Sequence, residues 1–168
     1  MELYVLRHGI AAERGTYADD GRRPLTPEGT AKMRKIAAAF GPLGVRVGMV
    51  LSSPLVRARQ TADIAAEALD LPVTIVEELS AGAPPADIVE AIEDHVPEDA
   101  DDEAAVMIVG HEPDLSRLVS LLVSGNDWSG VRMKKGGLCK LTIGELRVGP
   151  CAILEWLLWP KQLVRIAT

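Results

Sequence analysis

The sequence predicts an α/β fold, three-layer α/β/α with a mixed, largely parallel sheet. Three observations carry that prediction. Short β-rich runs alternate with helical patterns along most of the chain, as in a sheet with helices on its faces. Late in the chain, residues 137–143 and 151–158 are successive β-rich runs that fit an antiparallel hairpin or meander. The 168 residues fit one domain spanning 1–168 with a proper core, and no internal repeat, low-complexity segment or boundary is evident.

The elements follow in order. Residues 2–7 form the first strand, and a loop rich in Gly, Asp and Arg runs on to Pro24. Thr26-Pro27-Glu28 opens a helix, with Thr as N-cap, Pro at the first helical position and an acid in the first turn. That helix carries Met33, Ile36, Ala37 and Phe40 on one face and is expected to stop at Gly41. Residues 45–51 form the second strand. Ser53-Pro54 starts a helix through Ala58, Ala62, Ala65 and Leu69, and residues 73–76 form the third strand. An amphipathic helix at 85–96 precedes the fourth strand at 105–109. Asp114 is expected to cap a helix running to Val123, and Trp156 and Trp159 to pack the last strand.

Composition narrows the partners. Hydrophobic residues make up 48% of the chain and aromatics only 4%, so the core must rely on Val, Ile, Leu and Ala. The net charge of -6 has a local origin: Asp94, Glu98, Asp99, Asp101, Asp102 and Glu103 fall in one short stretch. Without those six, the 24 acids become 18 and match the 18 Lys and Arg, so the rest of the molecule can host an anion. The cluster itself reads as a solvated loop. No basic run interleaved with aromatics occurs, so nucleic acid is not an expected partner. No apolar run reaches membrane-spanning length and no basic leader precedes Leu3, so neither a membrane span nor a signal peptide is expected. Cys139 and Cys151 lack metal-ligand spacing and read as buried free thiols in a reducing cytoplasm, with a disulfide as the alternative.

Candidate chemistry collects just past the strands, where parallel α/β sheets bind ligands. The first strand ends in Arg7-His8-Gly9. The second ends in Ser52-Ser53-Pro54, with Arg57 in the first turn of the next helix. The fourth ends in Gly110-His111-Glu112-Pro113. Two of the chain's 3 histidines and two arginines are thus delivered to one edge of the sheet. These residue types suit phosphoryl transfer. Arginine forks match the charged phosphoryl oxygens, a helix start adds backbone N–H groups, and a neutral imidazole can attack phosphorus in line. No carboxylate or histidine set has metal-ligand spacing, so the arginines must supply the charge that magnesium supplies elsewhere. No metal or other cofactor is expected.

These residues carry a resemblance. Arg7-His8-Gly9 resembles the signature of the histidine phosphatase superfamily, whose fold is phosphoglycerate mutase-like. Arg23-Pro24-Leu25-Thr26 with Gly29, Ser52-Ser53-Pro54 with Arg57-Ala58 and Gln60-Thr61, and Gly110-His111-Glu112-Pro113 with Leu115 resemble SixA-type phosphohistidine phosphatases. The motifs span residues 3–123 in family order and spacing. The resemblance implies His8 as nucleophile and phosphohistidine carrier, with Arg7, Arg57 and the His111 imidazolium holding the phosphoryl oxygens. It implies a contact of Arg23 with the phosphate or the substrate's flank. It also implies a phosphorylated protein substrate, because members this compact lack the insertions that wall in small metabolites. Ile10 stands where mutase-like members place a polar substrate-binding residue. Glu78, before Gly82, resembles the general acid of that branch and keeps small phosphate esters and sugar phosphates open as substrates.

Each reading has a plainer rival. His8 could be a hydrogen-bonded turn residue, and Arg57 could form a surface salt bridge. Arg23 could pair with Asp19 or Asp20, Glu78 could be a solvated acid, and His95 reads as exposed and inert. A phosphoprotein-binding module without turnover would use the arginines but has no need of His8. The expected function is therefore phosphohistidine phosphatase, with phosphomonoesterase as the enzyme alternative.

Overall fold

The computed structural model describes residues 1–97, 105–128 and 130–168. Acids 98–103 of the predicted solvated loop lie outside the described residues. Six strands form one sheet in the order β3-β2-β4-β1-β5-β6. They are β1 (Glu2–Arg7), β2 (Met49–Ser52), β3 (Val73–Ile75), β4 (Ala105–Gly110), β5 (Leu138–Ile143) and β6 (Ala152–Leu158). The first four run parallel; β5 pairs antiparallel with β1 and with β6.

Strand period two sorts the core onto two faces. On β1, Tyr4 and Leu6 join a cluster with α1 (Pro27–Ala37), α2 (Val56–Leu69) and α5 (Pro160–Ile166). Leu3 and Val5 join the opposite cluster, under α3 (Pro85–His95) and α4 (Asp114–Ser124). The three-layer expectation is met by this arrangement. No helix among the described residues is long and apolar enough to cross a membrane.

Several boundaries differ from the sequence reading for physical reasons. β2 begins at Met49 and not at residue 45, because its partner β4 begins at Ala105 and the first facing pair is Met49 with Val106. Before that, Gly48 N–H reaches only the Ala105 carbonyl, at 2.8 Å. Helix α1 closes at Ala37, not Gly41. Ala39 and Phe40 then donate to Ile36 and Ala37, and these tight turns sink Phe40 into the core. Asp114 does not cap its own helix. It occupies the first turn of α4, and its carboxylate accepts from Gly82 N–H at 2.7 Å, tying α4 to the segment after β3. The sequence reading had no counterpart of α5. Pro160 opens it, the Gln162 side chain accepts from Trp159 N–H at 2.8 Å, and Leu163 is buried. Trp156 packs on Tyr4, with ring centroids 6.1 Å apart, whereas Trp159 is 42% exposed. His95 is half-buried, its Nδ1 2.7 Å from the Ala91 carbonyl oxygen. Cys139 is buried, Cys151 is half-buried, and both are free.

Two glycines fix the backbone at the end of β1. Thr26 N–H donates to the Ile10 carbonyl at 2.9 Å, and a side chain on Gly29 would run into that same carbonyl. Only glycine lets the start of α1 press so closely on the loop carrying His8. Gly136, at φ 77°, donates from its N–H to the carbonyls of Arg7 and His8 at 3.0 and 3.1 Å.

Candidate active site

The register of the sheet brings the predicted residues together. Arg7 pairs with Gly110, His8 N–H donates to the Gly110 carbonyl at 3.1 Å, and Ser53 N–H donates to the Val109 carbonyl at 3.0 Å. The segments leaving β1, β2 and β4 therefore emerge side by side. Arg7, His8, Arg23, Arg57 and His111 all line one cleft of about 270 Å³. Glu112 and Lys135 line it too.

His8 is 6% exposed, and its Nδ1 lies 2.7 Å from the Gly9 carbonyl oxygen. A carbonyl only accepts, so Nδ1 carries the proton and Nε2 keeps its lone pair. Gly9 is itself held, its N–H donating to Thr61 Oγ1 at 3.0 Å, while that hydroxyl donates to the Arg57 carbonyl at 2.7 Å. Burial pushes the His8 imidazole down to about 3, helped by the charges of His111, Arg57 and Arg7 and opposed by the bond to Gly9. The ring is neutral at pH 7, as attack through Nε2 requires.

His111 is 3% exposed, with its ring centroid 5.1 Å from that of His8. Its Nε2 lies 2.8 Å from Ser53 Oγ, and its Nδ1 is buried with no hydrogen-bond partner. Burial, then the fields of Arg57 and Arg7, push this imidazole down to about 4. The expected imidazolium runs against this shift: burial and the neighbouring guanidiniums both favour the neutral ring.

The arginines are anchored with donors to spare. Arg7 Nη1 donates to the Met133 carbonyl at 2.7 Å. Arg57 Nη1 donates to the Asp20 carbonyl at 2.9 Å, and its Nη2 lies 3.3 Å from Asp20 Oδ2. In both residues Nε is buried without a partner. Arg23 donates to Asp20 from Nε at 2.7 Å and from Nη2 at 3.2 Å, and to the Ala12 carbonyl from Nη1 at 2.6 Å. Asp20 thus bridges two cleft arginines. Hydrogen bonds from Arg23 hold its carboxyl below the usual carboxylate range.

Glu78 has a different place. It is exposed on a short 3₁₀ turn, Glu77–Leu79, and that segment reaches the cleft through Ala81 instead. Glu112 instead places a half-buried carboxyl in the cleft. Ser116 Oγ donates to its Oε2 at 2.6 Å, its Oε1 has no partner, and burial pushes its pKa up. Sequence reasoning quoted Glu112 within a motif but gave it no role, although its place directly after His111 was visible. The pairing of Arg23 with Asp20 was among the sequence expectations and is present, whereas Lys135, on the segment before β5, gave no such signal. Among the described residues no group of three His, Cys, Asp or Glu side chains is arranged to hold a metal ion.

Such a cleft at the carboxyl ends of β1, β2 and β4 defines a histidine phosphatase of the phosphoglycerate mutase-like fold. A profile of the histidine phosphatase superfamily (branch 1) matches residues 3–81. The chain is 38% identical to an uncharacterized protein of Picosynechococcus, covering 88% of each. It is 32% identical to phosphohistidine phosphatase SixA of Escherichia coli over 127 residues, 74% of this chain and 76% of that one. The solved structure of protein histidine phosphatase SixA complexed with tungstate superposes with a TM-score of 0.82 at 25% identity, covering 97% of this chain and 99% of the other. The chain belongs to the histidine phosphatase superfamily and is a phosphatase.

Proposed function

We propose that residues 1–168 form one histidine phosphatase domain that hydrolyses phosphohistidine in a protein substrate through a covalent phospho-His8 intermediate. The observation that carries this reading is the His8 ring. It is neutral, proton-fixed at Nδ1 by Gly9, and lone-paired at Nε2 within a cleft lined by Arg7, Arg57 and His111. The likeness to SixA of Escherichia coli supports the substrate class. Free Cys139 and Cys151 accord with a reducing cytoplasm.

In the first displacement His8 Nε2 attacks phosphorus, and the P–N bond to the substrate imidazole breaks with its electron pair leaving on that nitrogen. Arg7, Arg57 and His111 face the phosphoryl oxygens, whose charge is the main thing this transition state needs stabilised. As the new P–N bond forms, the His8 ring becomes cationic, and the Gly9 carbonyl accepting from Nδ1 stabilises that charge. Water then attacks the phospho-His8 group, His8 leaves neutral, and inorganic phosphate is released. His111 meets the incoming anion as a neutral donor or takes a proton as the anion's charge raises its pKa. Arg23 lines the same cleft and keeps a second N–H on each Nη beyond its bonds to Asp20 and Ala12.

A hydrolysis panel tests the reading. kcat/KM on a histidine-phosphorylated protein is expected to exceed that on small phosphate esters at least about a hundredfold. An ester preferred over the phosphohistidine protein overturns it. The alternative, a phosphomonoesterase for small esters or sugar phosphates, is favoured by Glu112, whose raised pKa and free Oε1 fit a proton donor in the cleft.

A further inference from the structure

Beside the catalytic cleft lies a second groove, about 440 Å³ in volume, and its chemistry is one-sided. Its charged lining consists of Arg7, Lys32, Arg132, Lys134, Lys135 and Lys161, with no carboxylate. None of the last five takes part in an ion pair among the described residues. They converge from separate parts of the chain: α1, the segment between α4 and β5, and the start of α5. In a molecule of net charge -6, this gathers unneutralised positive charge on one face.

The groove adjoins the catalytic cleft. Arg7 and Lys135 line both cavities. Burial, then the fields of Arg7, Arg23, Arg14 and Arg57, lower the pKa of Lys135, so positive charge at the junction is already in excess. Along the groove, the Lys134 ammonium sits over the Trp159 ring, 3.8 Å from its centroid. That contact holds an exposed indole at the groove wall, where it offers a flat surface to a side chain.

We propose that this groove docks an acidic polypeptide segment flanking the phosphorylated residue of the substrate protein. The inference rests on the phosphohistidine reading for the identity of the reacting group and adds what selects the protein around it. Residues beside a phosphoryl group in the cleft pass Arg7 and Lys135 into the groove. Asp and Glu side chains there meet lysines and arginines that form no ion pair among the described residues. The acidic remainder of the molecule repels such a substrate, so approach is steered to this face.

The test uses the full chain and two histidine-phosphorylated peptides that differ only in their flanks, Asp/Glu-rich in one and Ser/Gly-rich in the other. At low salt, kcat/KM for the acidic peptide is expected to exceed that for the neutral one about tenfold, and added salt should shrink the advantage. K32E/K161E, which reverses two groove charges, is expected to remove the preference. K35E makes the same kind of change on the same helix outside the groove and is expected to keep it. Equal kcat/KM for the two peptides, or a preference that K32E/K161E leaves intact, overturns the proposal. If neither peptide is turned over, the phosphohistidine reading fails, and the groove is read separately by fluorescence anisotropy of the labelled, unphosphorylated acidic peptide. Salt-sensitive binding that K32E/K161E weakens about tenfold supports the groove. No binding, or binding indifferent to K32E/K161E, overturns it, as does tighter binding of a short single-stranded DNA of equal charge.

Discussion

The imidazoles of His8 and His111 lie 5.1 Å apart, centroid to centroid, yet each is held by a different kind of partner. His8 Nδ1 donates to a backbone carbonyl, which fixes which nitrogen is free to attack. His111 Nε2 meets a hydroxyl, Ser53 Oγ, which can both donate and accept and so imposes no single protonation state. One ring keeps Nε2 unprotonated, as the proposed nucleophile requires, and the other can follow the charge of whatever enters the cleft.

That pairing predicts a pH dependence of stability. Both rings titrate far below the ordinary histidine value, at about 3 for His8 and about 4 for His111. The unfolded chain takes up protons near pH 6.5 while the native site refuses them. The stabilisation is therefore fully present above pH 6.5 and is lost as pH falls toward the folded values. Each ring is expected to cost about 2 kcal/mol between pH 7 and pH 5. Urea denaturation of the wild type and of His8→Asn and His111→Asn at both pH values measures this. Variants that keep the full acid sensitivity of the wild type would count against neutral, buried rings.

His8→Ala is expected to abolish turnover and leave the fold intact, since it removes the nucleophile from a cleft and not volume from either core cluster. Mass spectrometry of a quenched wild-type reaction should find acid-labile phosphate on His8, and phosphorus NMR of the adduct should place it on Nε2. Phosphate on His111, or on no residue, would refute the assignment.

Arg57→Ala is expected to lower kcat/KM about 10²–10³, the usual cost of one preorganised transition-state donor. Asp20→Asn should act in the opposite sense on anion binding. The Asp20 carboxylate lies 3.3 Å from Arg57 Nη2 and is also bonded to Arg23, so under the proposed mechanism it would compete with a phosphoryl group for both. Inhibition by tungstate is expected to tighten several-fold in Asp20→Asn. Activity should also survive exhaustive chelation. A requirement for an added divalent ion would show that arginines do not carry the charge alone.

The sequence made the ends of β1, β2 and β4 legible, because each site segment follows an apolar run directly and the strand rule says where such segments meet. It could not show which donors were already taken. The local pair of Asp20 with Arg23, three residues on, was within reach of the sequence, but that Asp20 also engages Arg57 depends on how the long loop after β1 folds back, which no local pattern encodes. Asp114 looked like a cap because the residue type is right. Its carboxylate serves Gly82 instead, a tertiary contact that overrides the local one. Helix α5 was hidden by its seven-residue length and by the apolar strand running into it. Glu78 was read from its spacing to Gly82, but the 3₁₀ turn after β3 leaves it on the surface.

The exchange of Glu78 for Glu112 gives the sharpest division between the two substrate classes. An alkoxide leaving a phosphate ester is strongly basic and needs a proton from a positioned acid as its bond breaks. The imidazole leaving a phosphohistidine is far less basic and needs little such help. Glu112 lines the cleft, Ser116 holds one of its oxygens, and burial raises its pKa, so part of its population keeps the proton nearer to neutrality than an ordinary carboxyl does. Glu112→Gln is therefore expected to cost about 10²–10⁴ in kcat/KM on any small ester the protein hydrolyses, but less than about tenfold on a phosphohistidine protein. Glu78→Gln is expected to leave both rates within about twofold, as surface substitutions away from a site usually do. The pH profiles carry the same sign: ester hydrolysis should fall as pH rises through the Glu112 pKa and the donor is lost, and phosphohistidine hydrolysis should not follow it. A large loss on phosphohistidine in Glu112→Gln would make the carboxyl essential to the favoured reaction and contradict the leaving-group argument. A large ester-specific loss in Glu78→Gln would instead return the acid role to the residue that the sequence first suggested.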